Sequence, residues 1–262
     1  MKAIEIIKIM EKWAEPSLID TWDNTGFQIG NGEKQINKIL IALDLDKKIL
    51  DISIKNNCDM IITHHPIIFK PLKDITSKNN KGELILDIIK NDIVVYNAHS
   101  NLDLAEGGVN HQLANILGLI NTNCLRPIID TNEGYGYGRI GEIEEIALVD
   151  YLDIIKDKLK ANKIVVYGNR DIRINKVAVC GGSGSDFIYD AYKMDADIYI
   201  TGDIKYHDAQ FAHELGLTII DAGHFNTEKI ILPVIKDYLN NNLNGQVDIE
   251  VIMESSLPKL VY

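Results

Sequence analysis

Cysteine is scarce in this chain. Cys58, Cys124 and Cys180 form an odd, scattered set without a Cys-x-x-Cys pair, which excludes a disulfide framework and reads as reduced thiols of a cytoplasmic protein. Positive charge is also in deficit. With 27 Lys and Arg against 38 Asp and Glu, the net charge is −11 and no basic stripe runs through the sequence, so nucleic acid is not the expected partner. Long apolar runs are absent too. The first residues instead carry an amphipathic pattern, with Ile4, Ile7, Met10 and Trp13 set among Glu5, Lys8, Glu11 and Lys12, unlike a signal peptide or a membrane span.

What is present is a chain of 262 residues, 46% hydrophobic, enough for a sizeable core in one or two units. Apolar residues recur every three or four positions over 3–15, 46–56, 83–90, 108–117, 151–161, 185–194, 206–215 and 227–239, which predicts helices. Strand patterns lie at 38–43, 60–63, 93–98, 140–148, 163–167, 176–180, 198–201 and 218–221. This alternation predicts an α/β fold of two related domains with largely parallel or mixed sheets, the first over 1–125 and the second over 126–262. The Gly-rich stretch 124–138 reads as their connection, and the segment near 224–262 is a candidate to pack back on the first domain.

The relation between the halves is visible in the residues. One constant offset carries Lys38-Ile-Leu-Ile-Ala onto Lys176-Val-Ala-Val-Cys180 and Asp59-Met-Ile-Ile-Thr63 onto Asp197-Ile-Tyr-Ile-Thr201, and a smaller one carries His99 onto His224. Each half thus holds a copy of His-x-Asn-x-acid, His99-Ser-Asn-Leu-Asp103 and His224-Phe-Asn-Thr-Glu228. With the adjacent pair His64-His65, these copies look like one metal site assembled from two halves.

Every such residue falls just past a strand, where ligands of parallel sheets gather. Imidazole with carboxylate, and no Cys nearby, suits Zn, Fe, Mn, Co or Ni rather than a thiolate site. Five or six candidates exceed what one tetrahedral ion needs and suit two divalent ions roughly 3.5–4 Å apart. His99 stands apart, because Asp103 can be the ligand while its imidazole carries a proton. Asp203 and Asp221 can equally be turn residues, and His111, His207 and His213 lie in polar helical patterns and read as structural or surface residues. The Gly-Gly-Ser-Gly-Ser segment at 181–185 fits neither the Walker nor the dinucleotide fingerprint, which leaves an anion-binding loop or a tight turn. Trp22-Asp-Asn-Thr-Gly26 reads as a turn that packs over the sheet or lies beside a substrate.

Trp22-Asp-Asn-Thr-Gly26, Ile62-Thr-His-His-Pro66, Asn97-Ala-His-Ser-Asn-Leu-Asp103, Thr201-Gly-Asp203 and Gly223-His-Phe-Asn-Thr-Glu228 together resemble the Ngg-interacting-factor-three-like family, also known as GTP cyclohydrolase I type 2 homologs. The resemblance implies a dinuclear metal site in the cleft between two α/β domains, and a homohexamer. It implies that Glu228 bridges, that His64 and Asp103 hold one ion, and that His65 and His224 hold the other. It implies also that the large inserted domain of some members is missing here. The activity the resemblance implies is hydrolytic opening of the GTP purine ring with loss of formate by a metal-activated water, and His99 is the candidate to move the proton, since an imidazole can accept and return one near neutral pH. Lys70 and Lys205 are candidates to offset the acidic charge for a nucleotide substrate. The rival expectations are a non-catalytic metal-binding protein, for storage, delivery or chaperoning, and a regulatory adaptor.

Overall fold

Short unalternating runs such as Lys38-Ile-Leu-Ile-Ala42 and Met60-Ile-Ile-Thr63 can be strands only if both faces are covered, and the computed structural model buries them in that way. It describes residues 1–128, 134–255 and 257. The helices are α1 (Ala3–Trp13), α2 (Lys47–Lys55), α3 (Asn80–Lys90), α4 (Ser100–Leu104), α5 (Val109–Ile116), α6 (Leu148–Leu159), α7 (Ile188–Lys193), α8 (Tyr206–Leu215), α9 (His224–Glu228) and α10 (Ile231–Leu243). The strands are β1 (Gly26–Ile29), β2 (Lys38–Ala42), β3 (Met60–Thr63), β4 (Val94–Asn97), β5 (Ile120–Pro127), β6 (Gly136–Ala147), β7 (Val165–Tyr167), β8 (Arg173–Ser183), β9 (Ile198–Gly202), β10 (Thr218–Asp221) and β11 (Asp248–Val251). None of the described helices is long and apolar enough to cross a membrane.

The chain forms two units. The first takes Met1–Leu102 and the segment that starts at Leu232, and the second takes Asp103–Ile231, so the chain changes unit inside α4 and again at the start of α10. The first unit contains a sheet of order β1-β4-β3-β2-β11, parallel except for β1. Leu40, Ala42, Ile61 and Val95 face a cluster built from Ile49 and Leu50 of α2 and Leu84, Ile85 and Ile88 of α3. Ile39, Ile41, Met60 and Ile62 alternate with them toward the other face and are fully buried. In the same unit α1 and α10 are joined by a Trp13–Tyr238 ring contact and by the Tyr238 hydroxyl donating to the Ile9 carbonyl.

The second unit contains the mixed sheet β5-β6-β8-β9-β10-β7. Val177, Val179, Ile198 and Ile200 pack with residues of α5 and α6, whereas Ala178, Cys180 and Tyr199 pack with residues of α7 and α8. The segment 124–138 is not a plain connection. Cys124 pairs with Arg139 and Pro127 with Gly136, so both of its ends belong to an antiparallel strand pair inside this unit, and 129–133 lie outside the described residues. Strand β5 escapes a pattern-based reading because it is mostly exposed and polar, and β1 and β11 are only four residues each.

The duplication extends to hydrogen bonds. The Asp59 carboxylate accepts from the N–H groups of Asn37 (2.8 Å) and Lys38 (3.3 Å), and the Asp197 carboxylate accepts from those of Asn175 and Lys176 (both 2.8 Å). In each half the bond closes the step from one parallel strand to the next, right after a left-handed residue at φ 54°, Asn57 or Asp195. The last part of the alignment is displaced by one residue, however. Thr63 pairs with Asn97 and Thr201 with Asp221, and the N–H groups of Ala98 and Ala222 donate to those threonine carbonyls, so His99 corresponds to Gly223 rather than to His224. His99 therefore precedes α4, whereas His224 opens α9. Each of the substitutions Asp59→Ala and Asp197→Ala removes the acceptor of two backbone donors and is expected to cost about 1–3 kcal/mol, read as a lowered urea midpoint at unchanged slope; a midpoint that does not move would show that the two bonds carry no weight.

Candidate metal centre

In the first unit, His64 and His65 follow β3. Adjacent residues of a continuing strand would face opposite ways, but β3 ends at Thr63, whose hydroxyl donates to the His65 carbonyl at 2.8 Å, and the two imidazole centroids lie 5.1 Å apart. His99, after β4, brings its ring to 5.2 Å from His64 and 5.5 Å from His65. One ring nitrogen from each of the three lies within 4.8 Å of the others, a spacing that can hold a cation.

The far side of each ring is tied down. His64 Nδ1 is 2.8 Å from the Ala98 carbonyl oxygen, His65 Nδ1 is 2.7 Å from Asp44 Oδ1, and His99 Nδ1 is 3.0 Å from Asp23 Oδ1. A carbonyl can only accept, so His64 carries its proton on Nδ1 and presents Nε2 as the basic nitrogen. Metal-binding imidazoles are oriented in this way by carbonyls and carboxylates behind them.

Asp23 is held most firmly of these partners. Its side chain is fully buried, which opposes ionisation, but hydrogen bonds from His99, Thr25 and Ser100 outweigh that and hold its carboxyl below the usual carboxylate range. Ser100 donates to it twice, from Oγ at 2.7 Å and from the backbone N–H at 3.2 Å.

In the second unit, His224 and Glu228 stand one turn apart on α9, and His224 Nε2 is 3.0 Å from Glu228 Oε2. The other ring nitrogen, Nδ1, is 2.8 Å from Asp203 Oδ2, so a fourth imidazole is backed by an acceptor. A carboxylate oxygen of Asp103 lies within 4.8 Å of one of Glu228. Glu228 is buried and Asp103 partly so, and two carboxylates this close favour a cation between them. Cys180 is not offered as a thiolate ligand beside them, because burial pushes its thiol up to about 12.

The glycines of the segment 181–185 do not form an anion-binding loop. The N–H groups of Gly181, Gly182 and Gly184 donate to Asn110 Oδ1, Thr227 Oγ1 and Thr201 Oγ1 at 2.8, 3.0 and 3.0 Å, so they are not offered to a ligand. Gly182, at φ +65°, lets Glu228 approach so closely that a Cβ there would lie 2.1 Å from Glu228 Oε1. Asp221 is a turn residue that accepts from the N–H groups of Ile204 and Gly223.

The structure thus brings together His64, His65 and His99 in one unit, and Asp103, His224 and Glu228 in the other. His111, His207 and His213 join no such group among the described residues. The sequence reading missed Asp44 and the partnership of Asp23 with His99. Asp44 could have been found from its position two residues beyond β2, level with His65 two residues beyond β3, because Ala42 and Thr63 are paired.

The model of the Duf34/NIF3 (NGG1p interacting factor 3) family matches residues 1–258. Among curated relatives, a Clostridium perfringens protein named GTP cyclohydrolase 1 type 2 homolog is 36% identical over 259 residues, covering 98% of each chain. A Methanocaldococcus jannaschii protein of the same name is 37% identical over 256 residues, covering 96% of this chain and 98% of its own. Among solved structures, a Bacillus cereus protein related to NIF3 superimposes with a TM-score of 0.94 at 27% identity, covering 100% of this chain and 99% of that one. Reduced HcgD from Methanocaldococcus jannaschii gives 0.83 at 32% identity, covering 96% and 97%.

Replacing Gly182 by Ala should push the Glu228 carboxylate aside and lower metal affinity by roughly 10- to 100-fold, the usual cost of disturbing a ligand's support. Gly216→Ala is the control, since Gly216 has φ +77° with nothing within 4 Å of an added Cβ and so reports backbone strain alone. Equal metal content in the two purified variants would remove Gly182 from the site.

Proposed function

The chain belongs to the Duf34/NIF3 family, and on that footing we propose that it is a divalent-metal-dependent hydrolase that opens the ring of a purine nucleotide, GTP or a close relative. The observation that carries this reading is the tying of Nδ1 in four separate imidazoles, His64, His65, His99 and His224, to a carbonyl or a carboxylate. Such an arrangement costs conformational freedom for which a purely structural histidine has no need, and because Nδ1 is the anchored nitrogen in every ring, Nε2 is the one that would bind a metal.

In this proposal His64 and Asp103 hold one ion, His65 and His224 hold another, and Glu228 serves both. The donors are imidazole and carboxylate, which suits Fe, Zn, Mn, Co or Ni. When bound, such ions polarise an oxygen and make water acidic enough to supply a nucleophile near neutral pH. His99 is then the proton carrier, and it differs from the other three rings in resting on a carboxylate that is itself fully buried and held by four further donors, the N–H groups of Asn24 and Ser100 and the hydroxyls of Thr25 and Ser100. Fixed by Asp23, its ring can take a proton and return it without reorienting. One feature favours a metal-carrier reading instead. His224 is one-third exposed at the side chain and its partner Asp203 more than half, and a ligand within reach of solvent exchanges readily.

Metal analysis and formate release separate the two. Glu228→Gln should lose both ions and all turnover, whereas His99→Ala should keep its metal and lose roughly 10²- to 10⁴-fold in turnover, the range for one acid–base group. Formate should accumulate far beyond the amount of protein, and stop when the ions are removed by a chelator. Stoichiometric surrender of metal to an acceptor, with no nucleotide consumed at any metal loading, would establish the carrier and end the hydrolase reading.

A further inference from the structure

The loop that carries Trp22 is pinned on its polar side and open on its aromatic one. Asp23 fastens it to His99 and Ser100. Asn24 Nδ2 donates to the Ile68 carbonyl at 2.5 Å, Gln28 Nε2 donates to the Asn24 carbonyl at 2.7 Å, and the Ile68 N–H donates to Gln28 Oε1 at 3.3 Å. These bonds join the loop to the segment after β3, where Phe69 places its ring 6.0 Å from that of Trp22. Both rings nevertheless stay in solvent, Trp22 60% and Phe69 45% exposed. Each also sits beside His99, at 6.0 Å and 85° for Trp22 and at 6.2 Å and 78° for Phe69.

Keeping an indole and a phenyl wet on a rigid backbone is unfavourable unless something flat covers them. The two centroids are too close, at 6.0 Å and tilted by 55°, to sandwich a ligand ring, which needs roughly 7 Å at van der Waals stacking distances. A ring must therefore stack on the outer face of the pair. The charge of the same segment says what the ring is attached to. In a chain of net charge −11, the stretch 66–81 holds Lys70, Lys73, Lys78 and Lys81 against Asp74 alone, all of them exposed, and among the described residues none of these lysines makes an ion pair. A protein partner would not call for this pairing of flat rings with uncompensated ammonium groups, and a nucleotide does.

We propose that Trp22 and Phe69 form a stacking ledge for the purine ring of a nucleoside triphosphate, that Lys70 and Lys73 draw in its phosphate chain, and that the ledge turns the edge of the ring toward His99. This rests on the nucleotide reading above and assigns the residues that select the ring. Trp22 and Phe69 are positioning residues here, and they take no part in proton transfer.

The test uses the metal-loaded protein in a Trp13→Phe background, which retains a ring against Tyr238 and leaves Trp22 as the single indole. GTP should quench Trp22 emission, and inorganic triphosphate, which has no ring to stack, should not. By calorimetry, Trp22→Ala and Phe69→Ala should each weaken GTP by about 5- to 150-fold, the span of base–aromatic stacking, with triphosphate affinity and metal content unchanged, and Trp22→Phe should restore most of the loss. Lys70→Ala with Lys73→Ala should weaken both ligands. Unaltered GTP affinity in the Trp22→Ala, Phe69→Ala double variant, or an equal loss for triphosphate, overturns the ledge. Formate release is read separately. Ring-dependent binding without turnover supports the ledge while ending the hydrolase reading, and turnover with an unchanged KM in Trp22→Ala ends the ledge while leaving the hydrolase.

Discussion

Parallel strand register is the constraint on which the site depends. Ala42 pairs with Thr63, so Asp44 and His65, each two residues farther on, leave the sheet side by side and meet at 2.7 Å. Thr63 pairs with Asn97, so the next residues, His64 and Ala98, are again neighbours, and the carbonyl of one orients the ring of the other. In the second unit Thr201 pairs with Asp221, which sets Asp203 beside the start of α9 and His224. Slipping any of these strands by one residue would reverse the faces of its side chains and separate every imidazole from its acceptor. The buried Ile and Leu residues of β2, β3, β9 and β10 forbid such a slip, so core packing and ligand orientation are fixed by the same ladders.

The two halves share this scaffold and use it differently. His65 and Asp203 occupy equivalent positions, as do Asp44 and Gly182. In the first unit the ring comes from the end of β3 and its carboxylate from the end of β2. In the second the carboxylate comes from the end of β9 and the ring from α9, while the position matching Asp44 is a glycine. That glycine is needed because Glu228 occupies the space a side chain would fill. One half therefore offers a group of imidazoles and the other a buried carboxylate with a single imidazole.

The acidic net charge, awkward for a phosphorylated ligand, is not spread evenly. The segment after β3, which carries Phe69, is locally basic, while many acidic groups elsewhere are spent on structure. Asp59 and Asp197 close strand connections, Asp46 accepts from the Ile49 N–H at the start of α2, and Glu250 bonds the amide of Asn56. Over the separations between such groups, solvent and salt screen their field, so the proposed nucleotide would meet chiefly the field of the lysines beside the rings.

The α/β class, the duplication and the metal-ligand candidates are legible in the residues alone, because those rest on local periodicity and on rare residue types placed just past apolar runs. The sequence did not reveal β1, β5 or β11, which are short or exposed and owe their strand form to a pairing partner more than to their own pattern. It also misaligned the two His-x-Asn-x-acid motifs by one residue, since letters match without regard to the hydrogen bond that seats Ala98 and Ala222. It takes the folded chain to place Asp44, Asp23 and Asp203 behind the rings, to give the space at Gly182 to Glu228, and to bring Trp22 and Phe69 together beside His99. Those relations join residues far apart in the chain through strand register and loop packing, and no periodicity in the sequence encodes them.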